Sequence, residues 1–268
     1  MFSSRIAGAA GKSLNVEIVL QQTKLGGNGP IMAFAMSSLG VPVTYCGMTG
    51  YPKVHPVFAE FAKRANVLGF AEPAETDAYE FSDGKLLVGR HATVAEVTFD
   101  NIRKRIGDTT WRKLWEAARF VSMNNWTMLP HMTSVWKKVQ SEVSGKAPAF
   151  RKTMFFDLAD PEKRSKPDIA AAIKTVAKFQ DQNDVILGLN ERESHQVAGV
   201  LGIKAGGSGE KQIADLAGRI REKLKLHCVV IHPVKFAAAA DANGSYSVVG
   251  PFTPKPKIST GAGDHFNA

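Results

Sequence analysis

Short apolar runs alternate with longer amphipathic segments through most of this chain, and that alternation limits its fold more than any other feature. Runs at 41–47 ("VPVTYCG"), 120–125 ("FVSMNN"), 153–160 ("TMFFDLAD"), 184–190 ("DVILGLN") and 226–232 ("LHCVVIH") have strand length and strand composition. Helical patterns lie between them. "PIMAFAMSSLG" opens on Pro30, suited to a first helical position, and closes on Gly40, suited to the position past a helix end. Ile31, Phe34, Ala35 and Leu39 keep its helical period. "DTTWRKLWEAAR", "PDIAAAIKTVAKFQ" and "KQIADLAGRIREKL" are amphipathic in the same way. Strands separated by helices must pair in parallel, and their apolar runs need cover on both sides. The expectation is one α/β domain over residues 1–268, a doubly wound sheet with helices on both faces.

Two stretches interrupt the alternation. Residues 15–23 ("NVEIVLQQT") and 78–90 ("AYEFSDGKLLVGR") read as short strands, the second carrying the hairpin pair Asp83-Gly84. A small β-strand lid beside the main sheet, with strands near 14–24 and 76–92, accounts for both. A second hairpin is expected at Asn243-Gly244.

Charge and cysteine content narrow the function. The formal net charge is +9, which suits nucleic acid, an anionic surface or a small anionic ligand. The positive residues are scattered, and the densest cluster, "NIRKRIG" at 101–107, reads as one solvated helix face without interleaved aromatics. Neither nucleic acid nor membrane is therefore expected as a partner, and no apolar run reaches the roughly 18 residues of a membrane helix. Cys46 and Cys228 are far apart, and Cys228 lies in an apolar run. Both read as free thiols of a reducing, cytoplasmic setting.

Three stretches carry chemistry. In "STGAGDHFNA", a Gly-x-Gly before a helix lets backbone N–H groups converge with no Cβ in the way, at the positive end of the helix dipole. An acid in the first turn, Asp264, stands beside any anion bound there. That pairing suits phosphoryl transfer to an alcohol, the donors holding the anion and the carboxylate taking the hydroxyl proton. The same residues also read as a glycine-rich helix start with aspartate at a favoured position. In "LGLNERE", Asn190 and Glu193 are three apart, which makes a capping box. Alternatively both oxygens face the ligand edge at the carboxyl end of the strand and hold Mg²⁺. In "KLGGNGPIMAF", Gly26-Gly27-Asn28-Gly29 is either a tight turn or a place where backbone approaches a polyol. It matches neither the dinucleotide fingerprint nor the phosphate-binding loop of nucleoside triphosphatases.

The order of these stretches is more informative than any one of them. A lid strand, a glycine pair leading into a helix, successive strand–helix units, Asn-x-x-Glu and a closing Gly-Ala-Gly-Asp resemble the PfkB (ribokinase-like) family of carbohydrate kinases. The resemblance runs from about Lys12 to Ala268, and "FFDLADPEKR" is similar to the family's mid-chain strand and turn. It implies ATP-dependent phosphorylation of a sugar hydroxyl with Mg²⁺. Asp264 then becomes the catalytic base, and Thr260, Gly261, Ala262 and Gly263 the anion hole and ATP contact. Gly26, Gly27 and Asn28 become the sugar contacts, and Asn190 and Glu193 the metal-linked pair. The lid would close over the sugar, and by analogy its edges would pair two subunits.

The sequence also departs from the family. Ile31 stands where the family carries an asparagine, and the strand at 226–232 leads into His232-Pro233-Val234-Lys235 rather than a Thr- and Gly-containing nucleotide loop. The chain reads as a kinase core that begins after the family's first strand and stops soon after its signature. The alternative function is a non-catalytic sugar- or nucleotide-binding protein on the same fold.

Overall fold

The computed structural model of the chain describes residues 2–81, 84–144, 150–256 and 260–268. After a short helix α1 (Phe2–Gly8), the chain reaches α2 (Asn28–Ser38), β1 (Thr44–Gly47), α3 (Ala59–Ala62) and β2 (Asn66–Gly69). A hairpin follows, β3 (Glu75–Phe81) and β4 (Gly84–Arg90), then helices α4 (Phe99–Ile106) and α5 (Asp108–Ala117). The main body then runs β5 (Phe120–Asn124), α6 (Met132–Lys138), β6 (Thr153–Asp157), α7 (Lys166–Phe179), β7 (Asp184–Leu189), α8 (Glu191–Val200), α9 (Glu210–Leu224) and β8 (Cys228–Ile231). It closes with β9 (Phe236–Ala240), β10 (Ser245–Val249) and α10 (Ala262–Phe266).

Six strands form the central sheet in the order β10-β9-β8-β7-β6-β5. Strands β5 to β8 are parallel, and β9 and β10 add an antiparallel edge. Side chains alternate across it as a pleated strand requires. Met123, Met154, Phe156, Val185, Leu187, Leu189, Val229 and Ile231 enter one large core with α6, α7, α8 and α9. Trp136 of α6 meets Phe156 edge-on at 5.2 Å, and Phe179 of α7 lies 5.3 Å from the same ring. The alternate residues Ser122 and Asn124 point the other way, where both side chains reach the Met32 sulfur of α2 at 3.5 and 3.2 Å. Helices therefore cover both faces, the α/β architecture expected from the sequence.

The helices that follow β6 and β7 begin with side-chain caps. Ser165 accepts the Asp168 N–H ahead of α7, and Asn190 accepts the Glu193 N–H ahead of α8. The β9–β10 hairpin turns through Asp241, whose Oδ1 accepts the N–H groups of Asn243 and Gly244.

Two expectations change. Residues 14–24, read as the first lid strand, are extended but belong to no ladder, and Ile18, Val19 and Leu20 are exposed. Apolar alternation makes a strand only where a neighbouring edge offers partners, and among the described residues none is paired with this segment. The hairpin expected near 76–92 is present as β3 and β4, in register from Glu75–Arg90 to Phe81–Gly84. Asp83 of the expected turn lies outside the described residues. The strand expected at 41–47 is shortened to β1 and pairs with β2 alone, over a small separate core of Ala33, Phe58 and Phe61.

The two arginines of the basic cluster at 101–107 are taken up by ion pairs. Arg103 meets Asp108 and Glu142, and Arg105 meets Glu96 and the Phe70 carbonyl. A helix whose guanidinium groups are satisfied internally is a poor nucleic-acid footprint.

Candidate active site

Strand register brings one row of residues to the carboxyl ends of β5–β8. Asn124, Asp157, Gly188 and Val230 are ladder neighbours, and Asn190 and His232 lie two residues beyond the last two. This is the edge where open α/β sheets receive ligands, because the strand ends and helix starts leave backbone groups unspent.

Onto that edge the structure folds α10 and α2. Gly261 precedes α10 in the left-handed region, φ 85°, and no side chain caps the helix. A Cβ on Gly261 would lie 3.2 Å from Ile31 Cδ1, so both the conformation and the space call for glycine. Ile31, the residue that departs from the family pattern, thus packs against the Gly-Ala-Gly turn. The first-turn N–H groups of Ala262, Gly263 and Asp264 face no side-chain acceptor, and they lie at the positive end of the helix.

Asp264 is only 6% exposed. Its Oδ1 accepts a hydrogen bond from Asn28 Nδ2 at 2.9 Å. Burial raises its pKa, and the Asn28 amide opposes that rise by stabilising the carboxylate. Gly27, with φ 92°, turns the chain into α2 and sets Asn28 at the first position of that helix. The glycine pair and the closing signature, far apart in sequence, therefore share one site. Gly26 and Gly27 are exposed beside it.

Asn190 and Glu193 form the full capping box. Asn190 Oδ1 accepts the Glu193 N–H at 2.9 Å, and Glu193 Oε2 accepts the Asn190 N–H at 2.8 Å. Glu193 does more, because its Oε1 also accepts the Asp160 N–H at 2.7 Å. Ala159 and Asp160 both have positive φ, 58° and 63°, so the carboxylate ties a strained turn to the start of α8.

Asp157 is a residue that sequence reasoning did not single out. Its Oδ1 accepts the Ala159 N–H and its Oδ2 the Asn267 Nδ2, both within 2.9 Å. It is 7% exposed, and Glu193 is 5% exposed. Burial, then the charges of Glu193 and Asp264, push the Asp157 pKa up to about 7. Glu193 is raised too, chiefly by burial, with its two backbone donors opposing. The signal in the sequence was a carboxylate directly after the apolar Met154-Phe155-Phe156, since a charge at such a place needs a reason.

The whole chain, residues 2–268, matches the family model described as prokaryotic ketohexokinase. The chain belongs to the prokaryotic ketohexokinase family. A ketohexokinase of Haloferax volcanii is 27% identical over 260 residues, covering 97% of this chain and 68% of that protein. Among solved structures, a carbohydrate kinase from Agrobacterium tumefaciens superposes with a TM-score of 0.60 at 18% identity, over 94% of this chain and 75% of the other. Phosphofructokinase-2 of Escherichia coli gives 0.58 at 14% identity, over 93% and 78%. Membership of the ketohexokinase family makes the protein a carbohydrate kinase, and the structural neighbours share its fold. Among the described residues no helix is long and apolar enough to cross a membrane, and no three His, Cys, Asp or Glu side chains are arranged to hold a metal ion.

Proposed function

We propose that the protein transfers a phosphoryl group from ATP to a hydroxyl of a sugar, a ketose or a close derivative, with Asp264 as the general base. The observation that carries this reading is the Asp264 carboxylate, buried in the first turn of an uncapped helix and held by Asn28. A base must be ionised and still hold a proton well, and partial burial against one amide donor tunes a carboxylate in that direction.

Thr260, Gly261, Ala262 and Gly263 form the anion hole, with the N–H groups of Ala262, Gly263 and Asp264 aimed at the transferred group. One such donor is worth about 10²–10³ in turnover. Gly26, Gly27 and Asn28 line the sugar side. The Asn28 amide has one N–H on the base and its oxygen left for a sugar hydroxyl, so it orients both partners of the proton transfer. ATP supplies the phosphoryl group, and Mg²⁺ neutralises charge on its phosphates. The charges of Asp157, Glu193 and Asp264 act on one another at this edge, and a cation bound beside them would offset that repulsion. Asn190 and Glu193 would hold Mg²⁺ through water and phosphate oxygens, the usual mode for this ion. The lid β3–β4 excludes water from the acceptor. Its exposed Leu86, Leu87 and Val88 support pairing of two subunits through the lid. Free Cys46 and Cys228 agree with a cytoplasmic setting.

ADP release over a panel of ketoses, aldoses and sugar acids tests the reading, run beside Asp264→Asn. The expected result is turnover on a ketose that falls about 10²–10⁴-fold in the variant while ADP and sugar still bind. Equal turnover in the two proteins would overturn the base assignment.

A further inference from the structure

Helix α10 carries Asp264, yet little apolar burial holds the helix in place. It has five residues, and an isolated helix shorter than about 12–15 residues is marginal in water. Among its residues only the Asp264 side chain is buried, and Phe266 is 48% exposed. Phe266 stacks on His232 past the end of β8, with centroids 4.8 Å apart, and a Cβ on Gly263 would lie 3.3 Å from His232 Cε1. The Asn28–Asp264 bond ties the first turn of α10 to α2. The far end needs a tie of its own, because a rod held at one end pivots about that end.

Asn267 supplies that tie. It follows α10 directly, and its backbone N–H donates to the Gly263 carbonyl at 2.9 Å. Its side-chain Nδ2 donates to Asp157 Oδ2 at 2.9 Å. Asp264 and Asn267 are three residues apart and so share one face of the helix. Asp157 is held in turn. It ends β6, is 7% exposed, and its Oδ1 accepts the Ala159 N–H at 2.8 Å. Beyond that turn, Glu193 accepts the N–H groups of Asp160 and Asn190. Linked contacts therefore run from the cap of α8, through the Ala159-Asp160 turn and Asp157, to the end of the helix that bears Asp264.

We infer that Asn267 is a positioning residue for phosphoryl transfer: bonded to Asp157, it fixes the far end of α10 and thereby the place of the Asp264 carboxylate. The inference rests on the reading of Asp264 as the base. A base acts only within hydrogen-bond reach of the hydroxyl, and a displacement of about 1 Å costs on the order of 10²-fold in rate. An amide suits the task. It donates to a carboxylate without adding charge to an edge where Asp157, Glu193 and Asp264 already act on one another.

The test is steady-state kinetics on the whole chain, with the sugar of highest turnover, for wild type, Asn267→Asp and the exchange Asp157→Asn with Asn267→Asp. Asn267→Asp sets two carboxylates against each other and breaks the tie. The exchange puts the amide on β6 and the carboxylate after α10, which remakes the bond with donor and acceptor reversed. Turnover is taken per ADP-binding site, counted by calorimetry, so unfolded protein does not imitate a loss. In Asn267→Asp, kcat is expected to fall on the order of 10²-fold while the KM for ATP stays put, and the exchange recovers most of that loss. Asn267→Ala, which removes the donor without adding charge, takes the place of Asn267→Asp if the latter does not fold. An unchanged kcat in the single variant, or an exchange no faster than it, overturns the inference and leaves the kinase reading standing. Wild-type protein that turns over no sugar overturns both.

Discussion

Asn28 donates a hydrogen bond to Asp264 across 236 residues of sequence, and it is this bond that joins α2 to α10. The bond favours the ionised carboxylate, whereas burial favours the protonated form.

Removing the amide with Asn28→Ala leaves burial unopposed. The Asp264 pKa then rises, so the acid limb of the pH–rate profile for kcat/KM moves to higher pH. At neutral pH the rate is expected to fall by about tenfold, one charge-assisted hydrogen bond being worth roughly 1.5–3 kcal/mol. A profile superimposable on wild type would show that Asn28 does not act through the base.

Gly261→Ala introduces a Cβ where φ is 85° and Ile31 Cδ1 stands 3.2 Å away. The backbone cost is about 1–3 kcal/mol, and it falls on the turn proposed to aim N–H groups at the transferred phosphoryl. Turnover is expected to drop at least tenfold while the melting temperature falls only a few degrees. Ile31→Val added to it relieves the contact but not the dihedral angle, so recovery is partial.

Asp157 offers a stability test with a definite sign. Its pKa is raised in the folded state to about 7, from an ordinary carboxylate value near 3.8. The folded protein therefore binds a proton that the unfolded chain has released, and stability from this group is full below the unfolded pKa and lost as pH rises through 7. Asp157→Asn, which mimics the protonated acid, is expected to be the more stable protein at pH 8 by about 1–3 kcal/mol, with little difference at pH 4. The Asn267 amide has to present its oxygen to the new side chain. Urea unfolding at both pH values checks this, and a variant weaker at pH 8 would contradict it.

Glu193→Ala strips acceptors from the N–H groups of Asn190 and Asp160 and releases the left-handed pair Ala159-Asp160. Each orphaned donor costs about 1–3 kcal/mol, so a fall in melting temperature of roughly 5–10 °C is expected by calorimetry. Glu193→Gln keeps one acceptor oxygen and should lose about half as much.

Chelation separates a catalytic cation from a structural one. The described residues hold no three-ligand metal cluster. EDTA is expected to abolish turnover and to leave the melting temperature of the free protein where it was, and a marked fall would point to a structural ion.

The strands β5 to β8 were legible because each is a compact apolar run whose alternate residues are buried against helices, and periodicity reports burial directly. The lid segment at 14–24 was misread for a related reason. Val16, Ile18 and Leu20 carry strand periodicity, yet a ladder also needs a partner, and pairing is not a property of one segment. The Asn190 and Glu193 box was readable because its members are three apart on one helix turn.

By itself, then, the sequence determined the α/β architecture, the glycine turn ahead of Asp264 and the cap ahead of α8, since local patterning and short spacings encode all of these. Only the tertiary structure decided that Asn28 holds Asp264, that Asp157 shares its field with Glu193 and Asp264, and that His232 leans on Gly263. Those relations depend on strand register and on which helices meet across a sheet edge. The free energy that sets them comes from burying the whole core, and no single stretch of residues carries it.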